Sequence, residues 1–182
     1  MEVQSLGAHW DNDTKRWYID LDQQPPTRFA RWLPGATEDE ADYEAEDDAT
    51  FTIVSNQAYV AATTASCQQC NSNIEVICIH CETGTASDEP LTQFTVSHIW
   101  AIDEALERQL RPWPNFRKVG KPDDELVANH CPHCGALQDD LYLHTETAGP
   151  FFDIPSTPPG SIKLTPLIRT ARLSGDEHFQ VG

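Results

Sequence analysis

Apolar and polar positions along the chain predict a β-rich protein with few helices. Near the start, "LGAHWDNDTKRWYIDL" sets Trp10, Trp17 and Tyr18 around the polar turn "DNDT". That pattern predicts a hairpin with strands near Gly7–Trp10 and Arg16–Ile19. "QQPPTRFARWLPG" follows and reads as a short helix. Thr27 is its N-cap, Phe29, Trp32 and Leu33 share one face, and Pro34-Gly35 stops it. From residue 51 the pattern turns to strands. "FTIV" and "AYVAATT" are β-rich, "IEVICI" (74–79) is a nearly unbroken apolar run, and "LTQFTV" (91–96) alternates. A helix is expected from Ser97 to about Leu110, with Ile99, Ile102 and Leu106 as its stripe. "LQDDLYLH" (137–144) and "SIKLTPLI" (161–168) read as further strands. The latter is expected to be the last strand and, because of Pro166, an edge.

The segment between hairpin-helix and strands changes character. Residues 36–50 are acidic, with Tyr43 as the one large apolar residue, and read as a linker or solvated loop. This divides the chain into a hairpin-helix module (1–35), an acidic linker (36–50) and a β-rich domain (51–182). The first module has a core of about three aromatics, too few to stand alone, and is expected to dock on the rest.

Cysteine spacing adds chemistry to this frame. The six cysteines form three C-x-x-C pairs: Cys67/Cys70, Cys78/Cys81 and Cys131/Cys134. In "CPHCG", Gly135 suits the positive φ often needed after a second ligand, and Pro132 stiffens the turn. Structural zinc takes four N or S ligands in a tetrahedron, so one such turn needs a partner. The pair 67/70 lies between predicted strands, and 131/134 precedes one. A structural zinc held by Cys67, Cys70, Cys131 and Cys134 is therefore expected. The 60 residues between the pairs would be an insertion in a split zinc ribbon. The fold class expected is α+β: a β-rich domain on a split four-cysteine zinc ribbon with one main helix, plus the small N-terminal hairpin-helix module. Cys78 reads as core and Cys81 as a strand-end thiol. A site that uses either of them, and no metal at all, remain the alternatives. His80, His130 and His133 read as loop histidines.

No H-E-x-x-H, G-x-S-x-G, P-loop or G-x-G-x-x-G occurs. Asp139 and Asp140 beside His144 would point to opposite faces of a strand, which favours a polar face over acid–base chemistry. No C-x-x-C opens a predicted helix, which argues against redox work. Four thiolates leave a zinc no open position. A non-enzymatic protein is the expectation.

Charge narrows the partners. The formal net charge is −17, and residues 38–48 hold eight acids and no base. Such a chain repels nucleic acid and attracts basic surfaces. No run of eighteen apolar residues occurs, and the N-terminus has no apolar signal core, so a cytoplasmic location with reduced thiols is expected.

The motifs Gly7-Ala8-x-Trp10-Asp11, Lys15-x-Trp17-Tyr18 and Phe29-Ala30-Arg31-Trp32-Leu33 resemble a short bacterial domain of unknown function. That domain also occurs in plasmid-transfer primases. His9 stands where the family often has Arg or Lys. The resemblance covers about 35 residues and implies a bacterial source; it carries no activity. The remainder looks like a zinc-ribbon-bearing companion domain. Together these readings lead to an acidic, zinc-stabilised cytoplasmic protein that binds a basic protein, such as an immunity protein or antitoxin-type inhibitor of a toxin. The alternative is a nucleic-acid-associated zinc-ribbon accessory module.

Overall fold

A computed structural model of the chain describes residues 4, 6–12, 15–18, 51–121 and 125–179. The expected helix from Thr27 and the acidic segment 36–50 lie outside the described residues. The N-terminal hairpin is present as expected: β1 (His9–Asp11) pairs antiparallel with β2 (Arg16–Tyr18). The rings of Trp10 and Trp17, opposite each other, lie 5.4 Å apart edge to face, the cross-strand pairing that stabilises a two-stranded ribbon.

The main body corrects the expected α+β ribbon. Of the described residues 51% are strand and 10% helix, and four long strands close into a barrel. Strands β3 (Ile53–Ser66), β4 (Asn73–Ala86) and β5 (Glu89–Ile102) are consecutive and antiparallel. Strand β9 (Ala171–Phe179) then pairs with both β3 and β5, which closes the ring β4-β3-β9-β5 back onto β4. This last strand was not expected from the sequence. Its "ARLSGDEHF" alternates, but Gly175 interrupts it. A Cβ at Gly175 would come within 2.7 Å of the Ser97 carbonyl, so the close approach of β9 to the bulged stretch Ser97–Ala101 requires glycine.

Three outer strands decorate the ring. Strands β6 (Phe116–Val119) and β7 (Leu126–Asn129) form a hairpin that joins β5 through Ile99 and Val127. Strand β8 (Lys163–Pro166) pairs with β3, and its Pro166 suits the edge position expected for it.

The expected helix from Ser97 begins only at Glu104. Residues Ser97–Ile102 finish β5, and helix α1 spans Glu104–Leu110. Asp103, not Ser97, is its cap, accepting the Leu106 N–H at 2.6 Å. The stripe Ile99, Ile102, Leu106 misled because the three side chains do pack on one core, but from a strand and a helix in series. Likewise "LQDDLYLH" is not a strand. Asp139 caps helix α2 (Asp140–Thr145) by accepting the Leu141 N–H at 2.9 Å. The capping aspartate just before the apolar residues was the signal for helix there.

The run "IEVICI" is unbroken because β4 is covered on both faces. Ile77, Ile79 and Cys81 enter the barrel core with Val60, Phe94 and Leu173. Val76 and Cys78 face the other way, into a second core with Ala61, Leu143 and Phe151. Cys81 is thus buried inside the barrel in mid-strand rather than at a strand end.

Helix α2 docks on β5 through polar groups. Asp140 accepts the His98 N–H at 2.8 Å, and His144 Nδ1 meets the Thr95 hydroxyl at 3.0 Å. The His178 ring lies 5.5 Å from that of His144, with its Nε2 2.6 Å from the Ser97 hydroxyl. His98 Nδ1 approaches Asp176 at 3.3 Å. Burial, with the charges of His178 and His98 in second place, pushes His144 down to about 3. Burial also lowers His178, and it takes His80 down to about 4. These imidazoles stay neutral in the fold while the unfolded chain takes up protons near its ordinary value of 6.5. Their contribution is therefore complete above that value and is lost as pH falls from there towards about 3. Thermal melts should show stability dropping by on the order of a few kcal/mol between about pH 7 and about pH 4. His144→Asn should flatten that slope; an unchanged slope would remove His144 from the account.

Candidate metal centre

The two turns that converge are built alike. The first, Cys67 to Cys70, is the tip of the β3–β4 hairpin. The second, Cys131 to Cys134, lies between β7 and Leu137, which bridges back to His130. In the first turn the Cys67 Sγ accepts the Gln69 N–H, its carbonyl accepts the Asn71 N–H, and its N–H donates to the Ser72 carbonyl. In the second, Cys131 makes the same three bonds, to His133, Gly135 and Ala136. The fifth residue of each turn is left-handed: Asn71 has φ +58° and Gly135 φ +75°. Among the described residues nothing lies within 4 Å of a Cβ at Gly135, so backbone conformation rather than space calls for glycine there. Asn71 does the same work in the first turn, since asparagine is the non-glycine residue most at ease in that region.

Three interactions bring the turns together. The Asn129 side chain accepts the Ile77 N–H at 2.9 Å and donates to the Ile77 carbonyl at 2.8 Å. It thereby ties β7 to β4 two residues before Cys131. Gln138, buried, accepts the Gln68 N–H through Oε1 at 3.3 Å and directs Nε2 to the Cys67 sulfur at 3.6 Å. Gln68 in turn accepts the Asp139 N–H at 3.1 Å. None of these residues stood out in the sequence. The "NH" before "CPHC" and the "Q" after it carry no motif, and their role emerges only from the tertiary pairing.

The result brings together the four cysteines expected. Cys67, Cys70, Cys131 and Cys134 have their sulfurs within 4.8 Å of one another and can hold one metal ion. Cys67–Cys134 and Cys70–Cys131 are each 3.7 Å apart. Cys67 and Cys131 are buried and Cys70 and Cys134 exposed, so the cluster is half embedded in the second core.

Its acidities reflect crowding. The backbone N–H of Cys70, then that of Gln69, hold the Cys67 thiol down to about 6 against the effect of burial. The Ser72 hydroxyl lowers Cys70. Cys134 is pushed up to about 12: the Ala136 N–H favours its thiolate, but burial and the three other sulfurs outweigh it. The cluster gives up its first proton easily and resists the last because negative charge accumulates. A bound cation removes that resistance, and thiolate is the ligating form.

The remaining candidates stay apart from this centre. Cys78 and Cys81 face opposite cores, so one metal cannot bridge them. Burial raises both thiols, Cys81 to about 12, which keeps them protonated and inert. His80 is buried in mid-strand rather than in a loop, and its Nδ1 has no hydrogen-bond partner among the described residues. His130 is also buried, with Nδ1 2.9 Å from the Ala128 carbonyl. His133 is in the turn and exposed. Asp139 caps α2 and Asp140 binds backbone, so neither faces His144 as an acid–base partner. Ser97 lies within hydrogen-bond distance of His178, but at 1% exposure it is closed to substrate.

The intervening 60 residues are therefore no appendage to a ribbon. They supply two walls of the barrel, β4 and β5, and the outer hairpin.

Residues 1–34 match the model of a family described as a domain of unknown function (DUF5710). The N-terminal resemblance thus holds at that level, while the link to primases and the zinc-ribbon companion gain no support. No curated protein and no solved structure matches the chain. Among the described residues no helix is long and apolar enough to cross a membrane.

Two outcomes are expected. Elemental analysis of purified protein should find about one metal ion per chain. Serine in place of Cys67, Cys70, Cys131 or Cys134 should abolish it, and Cys78→Ser should retain it. Removing the metal with a chelator should lower the melting temperature by roughly 10 °C or more; a metal-free sample with an unchanged melt would refute a structural role. Separately, Gly135→Ala should cost about 1 kcal/mol and Asn71→Gly no more than a few tenths, both read from melts of the metal-loaded protein.

Proposed function

We propose that this is a non-enzymatic, zinc-stabilised acidic protein of the cytoplasm that binds a basic protein partner, as an immunity protein or antitoxin-type inhibitor does. The observation that carries the reading is the charge of −17, with eight acids inside residues 38–48. Such a field draws in a cationic surface and speeds its capture. The same field opposes contact with nucleic acid, whose phosphates dominate affinity.

Zinc is the metal that best suits the donor set. Four thiolates at C-x-x-C spacing are soft ligands favouring zinc. A tetrahedral zinc bonded to sulfur at about 2.3 Å keeps its sulfurs about 3.8 Å apart, and two of the pairs here are at 3.7 Å. Four protein ligands fill the coordination shell and leave none for substrate, which supports a staple over a catalyst. The staple would join the β3–β4 hairpin to the segment after β7, and its binding energy would be folding energy.

Affinity capture from the source cell, followed by binding kinetics, tests the proposal. A basic protein should be recovered, with an association rate that falls by about tenfold from low to physiological salt. Neutralising Glu38, Asp39, Glu40 and Asp42 together should slow association several-fold and change dissociation little. Capture dominated by nuclease-sensitive nucleic acid would overturn the reading. Unchanged kinetics in the neutralised variant at low salt would remove 38–48 from the interface.

A further inference from the structure

The joint between α2 and the barrel is built on histidines. His144 of α2 meets the Thr95 hydroxyl of β5, and the His178 ring of β9 lies 5.5 Å from its own ring. His178 in turn reaches the Ser97 hydroxyl at 2.6 Å. From β4, His80 stands opposite Thr95 in the strand register. Phe151, in the segment after α2, places its ring 5.5 Å from that of His144 and brings no charge.

The carboxylates around this joint serve other groups. Asp139 caps α2, and Asp140 accepts the His98 N–H at 2.8 Å, where His98 holds a left-handed φ of +43°. Asp176 lies 3.3 Å from His98 Nδ1. Asp176, Asp140 and Glu177 favour a proton on His178, but burial outweighs them. His144 has no such help: burial first, then the charges of His178 and His98, oppose a proton there. A proton on His144 therefore goes with an opened joint.

We propose that α2 is a proton-sensitive latch, which lifts from the barrel on its own as pH falls below neutrality and loosens the packing around the cysteine turns. Asp139 and Leu143 make the connection. The Asp139 N–H is held by Gln68 of the first turn at 3.1 Å, and its carbonyl accepts the Leu143 N–H. Leu143 accepts the Phe151 N–H at 3.0 Å and shares the second core with Cys67 and Cys131. A helix of six residues has little stability of its own, so its docking contacts decide whether it stays closed. His144 takes up protons at about 6.5 when released and only at about 3 when closed. Between those values each pH unit favours opening by up to about tenfold per proton taken up, and His178 acts in the same direction. The anchor of β7 through Asn129 and Ile77 contains none of these groups and stays in place. This inference is independent of the basic-partner reading.

Hydrogen exchange of the purified full chain tests the latch, followed amide by amide by NMR from pH 7 to pH 5 and corrected for intrinsic rates. The N–H groups of His98, Asp139 and Phe151 should open together, with an opening constant that rises about twentyfold or more from about pH 7 to about pH 5. The Ile77 N–H should open about 100-fold less readily than these at about pH 6. His144→Asn, which keeps a polar group for Thr95, should cut the rise several-fold, and His178→Asn should cut it by less. His9→Asn, on the N-terminal hairpin, should leave it unchanged. The proposal fails if the three amides open no more readily than that of Ile77, if their opening constant is the same at both ends of the pH range, or if every folded variant of His144 and His178 keeps the wild-type rise.

Discussion

Four sulfurs within 4.8 Å of one another can all be thiolates only around a cation. That constraint organises half of the molecule. One pair of sulfurs belongs to a hairpin in the barrel wall, and the other to a chain segment 60 residues further on. To bring them together, β7 must be anchored beside β4, which is what Asn129 does by bonding both the N–H and the carbonyl of Ile77. With β7 anchored, Cys67, Cys131, Leu143 and Phe151 share one core outside the barrel. Two of the four candidate ligands, Cys67 and Cys131, therefore double as core residues, so an ion held there would couple apolar packing to a crosslink.

The same geometry explains why the middle of β4 is apolar on both faces. A barrel strand normally shows one face to water and alternates. Here the outer face of β4 is covered by the metal-bearing segment and α2, so both sets of side chains are buried. Residues of opposite parity diverge into separate cores, and for that reason the third C-x-x-C pair cannot be a ligand pair. Its two thiols are three positions apart on a strand, hence on opposite faces.

What could be read from the sequence follows from this arrangement. The hairpin at Trp10 and Trp17, strands β3 and β4, and the four ligands at 67, 70, 131 and 134 are encoded locally, by alternation and by spacing. Barrel closure is not. It depends on β9 fitting between β3 and β5, and its signal is a glycine that lets two backbones approach. Bulges hid the true extent of β5: with the register shifted between Ser97 and Ala101, the apolar residues fall at spacings that mimic a helix. Helix α2 was missed for the opposite reason, because six residues are too few for periodicity to outweigh a β-like composition. The scaffold of Asn129, Gln138 and Gln68 was invisible because buried amides acquire meaning only from the backbone groups they satisfy.

The charge distribution poses the sharper functional question. A chain at −17 with its basic residues scattered would present one sign everywhere. Instead, among the described residues, Arg108, Arg111, Arg169 and Arg172 line one cleft between α1 and the β8–β9 segment. Helix α1 contributes through its cap: the half-buried Asp103 holds the helix start with one carboxylate oxygen and approaches Arg172 with the other. One side chain thus caps the helix and lies in ion-pair range of a guanidinium on β9. Net charge acts over a Debye length and such ion pairs within a few ångströms, so a chain that is negative as a whole can still place individual guanidiniums by local carboxylates.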